Sequence, residues 1–578
     1  MCGIVGYISV EEKLNLSDFM KMIKSLDYRG YDSWGISHLA DKITIVKELG
    51  KITNTDLPGK SNLILGHTRW ATHGVVTKEN AHPHLSNDKT ISLVHNGIIE
   101  NYQELKKELS GFTFEGQTDT EVLTNYIQSK LNGDTLTSFE KVLPKLEGTY
   151  AIGFLKTGEN RIYFARKDSP LVLGIGENEN FLSSDVTSFF DRTKTVIYLE
   201  DGDYGYIEGK TVKIFNSGSE VDRKKSTITW DIDKAKKGDF EHFMLKEISE
   251  QVDTVKQSLI QDKNTILSIV DDLKKKKVYM VACGTSYNAA LSAEYEFLEK
   301  GIMPKVIRAH EFRNYSKFID KNSLILAISQ SGETFDLIDA LKSVKDSGAE
   351  IVSIVNVQGS TLDRMSDKRI YMNVGPEICV LSTKSYTAQV SILMLLAGCL
   401  NDTYKNSKED LDDIVRHIYY LTSENARKYT KDLSHLLRYT KHLFTIGRRR
   451  DYPTAMEAAL KIKEVSYIHA EGFAGGQIKH GPIAMIENGT PCIVFVPNEN
   501  NSDILSNAQE LKSRGAFIIG ISDKEHEVFD FWIKVIGPDK YSPILRIIPI
   551  QALSYYLAVL KGLDPDKPRN LAKSVTVK

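Results

Sequence analysis

Many short, mostly apolar segments with turn residues between them fill the first part of the chain. Short apolar segments bounded by turn residues are typical of strands. Helical periodicity is confined to a few segments, such as LSDFMKMIKSL at 16–26 and DTEVLTNYIQSKL at 119–131. The pattern therefore predicts an α+β domain with antiparallel sheets over residues 2–216. Its predicted strands are GIVGYIS, KITIVKEL, NLILGHTRW, TISLVHNGII, GTYAIGFL, NRIYFARK and DGDYGYIEGKTVKIF.

The pattern changes after residue 241, where apolar strands alternate with longer helices. KVYMVACGTSYNAALSAEYEFLEK has the order strand, turn, helix, and a similar order recurs about 165 residues later. Such alternation is typical of parallel, doubly wound α/β folds. We therefore predict two tandem α/β domains at 242–405 and 430–565. The polar segment 217–241 is the predicted linker, and 566–578 is a C-terminal tail.

Composition favours small ligands as partners. The 578 residues are 41% hydrophobic and 26% charged, with a formal net charge of -2, so no overall field attracts nucleic acid or an anionic membrane. The five cysteines form no CxxC pair, which indicates neither a disulfide framework nor a thiolate metal site. We expect the longest apolar stretch near VSILMLLAGCL at 390–400, which is shorter than the roughly 20 residues of a membrane span, and we expect a buried helix there. With no signal segment before Cys2, we expect a cytoplasmic protein.

Cys2 is the first candidate catalytic residue. Removal of Met1 would give Cys2 a free α-amino group with an ordinary pKa of about 8, close to the working pH. Such an amine can accept the thiol proton, as in N-terminal nucleophiles. The alternative is that Cys2 is a small apolar residue of the first strand.

Four polar segments lie where strands of the first half end: YRGYDSWG, GHTRWATHG, HNGIIENY and GQTDTEV. They supply an arginine for a carboxylate, a carboxylate for an ammonium, and amide donors for an oxyanion, which glutamine hydrolysis requires. Together MCGIVGY, GHTRWATHG, AHPH, HNGIIENY and TDTE resemble the glutaminase domain of N-terminal-nucleophile amidotransferases. The resemblance implies a four-layer αββα N-terminal-nucleophile hydrolase fold.

The same resemblance implies roles for individual residues. Arg69 would hold the substrate carboxylate and Asp119 its ammonium, while Asn96 and the Gly97 backbone would form the oxyanion hole. Trp70 would gate the passage of ammonia, although it can also be read as a core residue. Further glutamine-binding residues implied are Thr72, His73 and His82. The histidines also admit a second interpretation, a metal cluster formed by His67, His73, His82, His84 and His95, but no carboxylate or thiolate pattern supports it, and we expect no metal.

Two loops of the second half, CGTS at 283–286 and SQSGET at 329–334, each follow an apolar strand and open a helix. Glycine lets the backbone approach a ligand, hydroxyls donate hydrogen bonds, and a helix N-terminus favours an anion. Simple helix capping is the alternative. No GK[ST] follows, so ATP is not implied.

With AHEFRNY and GPEICVLSTKS, these loops resemble the sugar isomerase (SIS) family, which binds phosphosugars. The resemblance implies three-layer α/β SIS domains with parallel sheets. The sugar-phosphate-binding residues that it implies are Cys283, Gly284, Thr285, Ser286, Ser329, Gln330, Ser331, Thr334, Val380 and Ala572.

Lys461 and Glu464 are three apart on one predicted helical face, where they form either a surface ion pair or part of a catalytic site. Conversion of a ketose to an aldose phosphate needs a base between C1 and C2, and Glu464 is the candidate. The tail KPRNLAKSVTVK resembles the ending of isomerising aminotransferases. That resemblance implies that Lys573 forms a Schiff base with the ketose and that His480 opens the sugar ring from a neighbouring subunit.

The combined resemblance implies that glutamine and fructose 6-phosphate give glucosamine 6-phosphate and glutamate, the first step of amino-sugar biosynthesis. No metal or organic cofactor is expected, because the imine serves as electron sink. A homodimer is implied by resemblance only. Two alternatives are an amidotransferase with another acceptor, such as a phosphoribosyl donor, and a phosphosugar-binding regulator without turnover.

Overall fold

The computed structural model describes residues 2–10, 12–71, 73–228 and 237–575. Thr72, predicted to bind glutamine, lies outside the described residues. Contacts divide the chain into two compact units, unit 1 (Met1–Ile232 with Ser574–Lys578) and unit 2 (Asp233–Lys573).

Unit 1 contains seventeen strands and four α-helices among its described residues. The strands are β1 Gly3–Ser9, β2 Leu14–Asn15, β3 Ser33–Leu39, β4 Ile43–Leu49, β5 Lys60–Ser61, β6 Leu63–Arg69, β7 His84–Leu85, β8 Ile91–Ile99, β9 Gly148–Lys156, β10 Ile162–Lys167, β11 Val172–Ile175, β12 Glu179–Ser183, β13 Thr195–Tyr198, β14 Tyr204–Ile207, β15 Val212–Asn216, β16 Ser219–Glu220 and β17 Lys225–Thr227. The helices are α1 Leu16–Lys24, α2 Tyr102–Lys107, α3 Asp119–Lys130 and α4 Thr135–Val142.

Two antiparallel sheets face each other in unit 1. Their orders are β17-β13-β11-β12-β1-β6-β3-β4 and β16-β15-β14-β10-β9-β8-β7. Leu65 of the first sheet and Phe164 of the second meet in the core between them. Helix α1 covers the outer face of the first sheet through Phe19, and α3 covers the second through Leu123. Because each sheet is buried on both faces, the unit has the predicted four-layer αββα architecture.

The predicted linker 217–241 includes regular structure. Strand β16 pairs with β15, and β17 pairs with β13, so both extend the sheets of unit 1. Residues 229–236 of this segment lie outside the described residues.

Unit 2 contains ten strands and fourteen α-helices among its described residues. The strands are β18 Lys277–Ala282, β19 Lys305–Arg308, β20 Ser323–Ser329, β21 Glu350–Val355, β22 Lys368–Tyr371, β23 His442–Gly447, β24 His469–Ala474, β25 Pro491–Phe495, β26 Phe517–Ser522 and β27 Phe531–Lys534. The helices are α5 Phe243–Ser249, α6 Gln251–Ser258, α7 Lys263–Lys275, α8 Gly284–Glu299, α9 Phe335–Lys342, α10 Thr361–Met365, α11 Lys384–Gly398, α12 Tyr404–Asp412, α13 Val415–Thr422, α14 Glu424–Leu437, α15 Asp451–Ser466, α16 Ser502–Lys512, α17 Ser542–Leu545 and α18 Ile548–Leu560.

Unit 2 repeats one topology twice, as the sequence predicts. The parallel sheets have the orders β19-β18-β20-β21-β22 and β24-β23-β25-β26-β27, in which the first strand of each copy lies between the second and the third. Chain direction across the sheet reverses at that point, and ligands of such folds bind outside the carboxyl ends of the strands there. Helices α8, α11, α15 and α18 contribute to a single hydrophobic core that both copies share.

The most apolar helices of unit 2 are internal. Every residue of α11 is buried, which confirms the buried helix predicted around 390–400. The described residues also include one helical stretch, Asp539–Leu560, that is long and apolar enough to cross a membrane and that the sequence did not predict; 83% of its apolar 18-residue window is buried. Burial to this extent is typical of a core helix of a globular domain.

Two candidate active sites

Strand register places Cys2 beside the end of β6. Gly3 pairs with Thr68 in antiparallel register, so Cys2 lies opposite Arg69 and next to Trp70. The Trp70 backbone N–H donates to the Cys2 sulfur over 3.2 Å, while the Cys2 carbonyl accepts from Asn96 Nδ2 at 2.9 Å. Burial raises the pKa of the Cys2 thiol. Activation of this thiol therefore requires a nearby proton acceptor.

Asn96 and Gly97 reach this cysteine from β8 in the opposite sheet. The Asn96 side-chain oxygen lies 3.0 Å from His67 Nε2, an arrangement that points the amide donor at Cys2. Gly97 has a φ of 125°, and a Cβ there would lie 2.0 Å from the Thr149 carbonyl oxygen. Only glycine therefore fits at position 97, where the backbone lies next to Asn96.

Arg69 and Asp119 supply opposite charges close to Cys2. Both are buried, and the charges of Cys2 and Asp119 each act on the Arg69 guanidinium. Arg69 Nη2 donates to the carbonyls of His73 and Gly74, whereas Nη1 has no hydrogen-bond partner among the described residues. The Asp119 carboxylate accepts the Ile99 backbone N–H at 2.8 Å. This pair matches the two charged ends of an α-amino acid.

The nearby histidines His67, His82 and His84 are buried. Burial lowers the pKa of His67 to about 3, and those of His82 and His84 fall well below their ordinary value for the same reason. His84 Nε2 lies 2.9 Å from the Thr118 hydroxyl, and the His67 and His82 rings lie 4.2 Å apart. We therefore assign these rings to hydrogen bonding and packing within the site. His67, which the sequence indicated only as part of the alternative metal cluster, orients Asn96.

In unit 2, the two predicted anion loops follow the neighbouring strands β18 and β20. CGTS opens α8 and SQSGET opens α9, at the point where the strand order reverses. The Ser329 and Thr334 hydroxyls lie 3.0 Å apart, and the Gly332 N–H donates to Ser329 Oγ. Gly332 has a φ of 67°, and a Cβ there would lie 2.1 Å from Ser360 Oγ. The remaining predicted residues of these loops, Cys283, Gly284, Ser286, Gln330 and Ser331, are half-buried or exposed at the same edge.

Helix α15 contributes a buried charged cluster rather than the surface ion pair that the sequence left open. Lys461 is fully buried, and its Nζ lies 2.8 Å from Glu464, 3.3 Å from Glu457 and 2.9 Å from the Thr285 hydroxyl. Burial raises the pKa of Glu457, which also accepts from Asn288. Glu457 was not predicted, although it lies one helical turn before Lys461 on the same face.

Lys573 lies in the same region, paired with Glu377. Its Nζ is 2.5 Å from Glu377 Oε2, and both side chains are buried. Burial opposes ionisation of Glu377, but the Lys573 ammonium and the Ser385 backbone N–H together lower the pKa of this carboxyl. The loop that carries Glu377 also contains Ser382, whose carbonyl lies 3.4 Å from Lys461 Nζ. Hydrogen bonds thus link Lys573, the Glu377 loop and the α15 cluster. Glu377 was not predicted.

Of the other residues predicted for the sugar site, Val380 and Ala572 lie near the Lys573 cluster in the chain, and His480 does not. Val380 is buried in the Glu377 loop, and Ala572 precedes Lys573. His480 is exposed at the end of the short 3-10 helix Gln477–Lys479. No hydrogen bond or ion pair among the described residues joins His480 to this cluster.

Comparisons with known proteins match both halves of the chain. A glutamine amidotransferase domain matches residues 67–191, and the SIS domain matches 273–398 and 436–560. The chain is 41% identical to a glutamine–fructose-6-phosphate aminotransferase (isomerizing) of Pyrococcus horikoshii and 42% identical to that of Thermococcus kodakarensis, each over 100% of both chains. The relative of the same name from Clostridium acetobutylicum is 40% identical with the same coverage.

Solved structures resemble the second half of the chain. The C-terminal domain of glucosamine-fructose-6-phosphate aminotransferase from Francisella tularensis aligns with a TM-score of 0.52 and 32% identity, over 57% of this chain and 99% of that one. The chain therefore belongs to the isomerising glutamine–fructose-6-phosphate aminotransferase family.

Proposed function

We propose that this chain converts glutamine and fructose 6-phosphate to glutamate and glucosamine 6-phosphate, and that ammonia from the first reaction is consumed in the second. The observation that carries the proposal is that one chain has both a buried cysteine site with matched charges for an amino acid and a buried lysine–carboxylate site beside two anion loops. The first site has the parts of a glutaminase. The second has those of an imine-forming sugar isomerase.

In unit 1, Cys2 attacks the side-chain amide carbon of glutamine. Arg69 takes the substrate carboxylate and Asp119 its ammonium, and Trp70, His73 and His82 line the site. The carbonyl oxygen becomes an oxyanion held by Asn96 Nδ2 and the Gly97 N–H. The tetrahedral intermediate collapses to a thioester as ammonia leaves. Water then releases glutamate and restores the thiol.

The α-amino group freed by removal of Met1 is the base for this step. Because burial raises the pKa of the Cys2 thiol, few thiolates exist at neutral pH without such an acceptor. The amine takes the thiol proton during attack and returns a proton to the departing ammonia.

In unit 2, the phosphate of fructose 6-phosphate is held by the hydroxyls and backbone N–H groups of the CGTS and SQSGET loops. The Lys573 amine attacks the open-chain ketone at C2, and loss of water gives an imine. Transfer of a proton away from the Lys573 ammonium, for which Glu377 lies at 2.5 Å, is needed before attack. Ammonia then displaces the lysine, which leaves the nitrogen of glutamine on C2.

Glu464 completes the isomerisation by moving a proton from C1 to C2. Its side chain is one-fifth exposed, so it can reach a substrate, whereas the Glu457 side chain is fully buried. Lys461 lies between these two carboxylates, with its Nζ 2.8 Å from Glu464 and 3.3 Å from Glu457. The product is the aldose with an amino group at C2.

The test measures glucosamine 6-phosphate from fructose 6-phosphate with either glutamine or ammonium as nitrogen donor. Cys2→Ala should lose synthesis from glutamine and keep synthesis from ammonium. Lys573→Ala should lose both and keep slow glutamine hydrolysis. The two variants are controls for each other because they alter different units. Equal loss of both activities in properly folded Cys2→Ala would contradict separate sites.

We also propose a cytoplasmic homodimer in which His480 opens the sugar ring of the partner's site. The exposed position of His480 supports this role. A mixture of His480→Ala and Lys573→Ala chains would then form mixed dimers with one intact site, and recover about a quarter of wild-type activity at statistical exchange. Mixed dimers that stay inactive would contradict action across subunits.

A further inference from the structure

Three chemically different side chains meet at the carboxyl edge of the first sheet of unit 2. Cys283 directly follows β18, His310 lies two positions after the end of β19, and Asp336 lies in the first turn of α9 after β20. Strand β18 lies between β19 and β20, so these three chain segments are neighbours. These three residues are far apart in the sequence, so they form no spacing motif. For this reason the cysteine pattern of the sequence predicted no thiolate metal site.

The ligand atoms are close enough for one ion. The Cys283 sulfur, a His310 ring nitrogen and an Asp336 carboxylate oxygen all lie within 4.8 Å of one another. Ligand bonds to Zn²⁺ of about 2.0 to 2.3 Å place tetrahedral ligand atoms roughly 3.3 to 3.8 Å apart, so modest side-chain rotations would close the site. Cys283 and Asp336 are half-buried and His310 is exposed, which leaves a fourth position open to water.

We propose that Cys283, His310 and Asp336 bind one Zn²⁺ ion, with water as the fourth ligand. Sulfur, imidazole and carboxylate together suit a borderline-soft cation, whereas Mg²⁺ and Ca²⁺ prefer oxygen ligands alone. Burial is the main influence on the pKa of the Cys283 thiol, and the nearby backbone N–H groups of Ala309 and His310 act in the opposite direction, towards the thiolate. Burial raises the pKa of this thiol to about 11, so the ion replaces a proton, which passes to solvent.

A bound ion would constrain the two sugar-phosphate loops, CGTS and SQSGET, because the proposed metal ligands lie next to them in the sequence. Cys283 directly precedes Gly284 of the CGTS loop, and Asp336 lies two positions after Thr334 of the SQSGET loop. A bound ion would tie the beginnings of α8 and α9 together. This function goes beyond the proposed reaction, which uses no metal.

The test is metal titration of the full-length protein after removal of metal with a chelator. Zn²⁺ affinity is measured by competition with a chromophoric chelator, and Co²⁺ serves as the spectroscopic probe. We expect one equivalent per chain and a thiolate-to-cobalt charge-transfer band. Cys283→Ser should remove the band, and His310→Ala and Asp336→Asn should each weaken Zn²⁺ binding at least tenfold, since loss of even an outer-shell partner costs about 10- to 100-fold.

Two variants control for other ligands. Cys2→Ala removes the other partly exposed thiol, and His435→Ala removes an exposed histidine elsewhere in unit 2. Both should keep the band and the affinity. A band that persists in Cys283→Ser, or that disappears in Cys2→Ala, would overturn the proposal. Because His310 is exposed and its replacement should not disturb folding, unchanged Zn²⁺ affinity in His310→Ala would overturn it as well.

Discussion

Replacement of Glu457 tests whether the α15 cluster is built as described. Its carboxylate is fully buried, accepts from Thr285 at 3.0 Å and from Asn288 at 2.8 Å, and lies 3.3 Å from the Lys461 ammonium. Glu457→Ala would leave two buried donors without an acceptor and would leave Glu464 as the carboxylate paired with the Lys461 charge. Glu464 is the matched comparison, because it contacts the same lysine but its side chain is one-fifth exposed.

The magnitude follows from burial. Removing one partner of a buried ion pair costs about 3–5 kcal/mol. Glu457→Gln keeps the shape and an acceptor and loses the charge, so we expect a smaller cost of about 1.5–3 kcal/mol. Glu464→Gln should cost less than about 1.5 kcal/mol, because Lys461 keeps Glu457, while synthesis from ammonium should fall at least a hundredfold with loss of the base.

The assay combines thermal unfolding of unit 2 with synthesis of glucosamine 6-phosphate from ammonium. A loss of 3–5 kcal/mol should lower the Tm of this unit by roughly 5–10 °C in Glu457→Ala. Glutamine hydrolysis in unit 1 should persist in every variant at temperatures below that transition. If Glu464→Gln destabilised unit 2 more than Glu457→Gln, or if Glu457→Ala left the Tm unchanged, the described cluster would be wrong.

Two further predictions concern the SQSGET loop and a buried carboxyl. Gly332→Ala should raise the KM for fructose 6-phosphate at least tenfold, because its Cβ would collide with Ser360. Gly301→Ala is the control, because Gly301 has a φ of 80° and open space around it, so the substitution should cost only about 1 kcal/mol of backbone strain. An equal rise of the KM in the two variants would refute the collision between the added Cβ at position 332 and Ser360. Burial raises the pKa of Glu247 from 4.5 to about 8, so the folded state binds more protons than the unfolded state between these values. Stability of unit 2 should therefore fall as pH rises from about 5 to 8, by up to about 1.4 kcal/mol per pH unit from this group. Glu247→Gln should flatten the dependence of Tm on pH and the exposed Glu525→Gln should not; an unchanged profile in Glu247→Gln would refute the assignment.

The architecture was predictable because local patterns and packing agree. Central strands of unit 1 such as β1 and β6 are buried along their whole length and are separated by turn residues, and the strand–turn–helix order of unit 2 occurs twice. Strand register then brings Cys2, Trp70 and Asn96 together, so motifs far apart in sequence form one site.

The charged interior of unit 2 was harder to predict. Periodicity places Lys461 and Glu464 on one face of a helix but does not show which neighbour covers that face. The shared core of the two SIS copies buries Lys461, which helix periodicity alone cannot indicate. Glu377 lies in a loop, where no periodicity exists. Only its contact with Lys573 in the structure indicates that it belongs to the site.

We propose that nitrogen freed at Cys2 is used at the imine of Lys573 in the same chain. An isotope experiment supplies glutamine labelled with ¹⁵N in its amide group, fructose 6-phosphate and an excess of unlabelled ammonium, and determines the label in glucosamine 6-phosphate by mass spectrometry. We expect labelled product from the wild type and unlabelled product from Cys2→Ala. Wild-type product that carries the isotope ratio of the bulk ammonium would contradict transfer of nitrogen from Cys2 to Lys573.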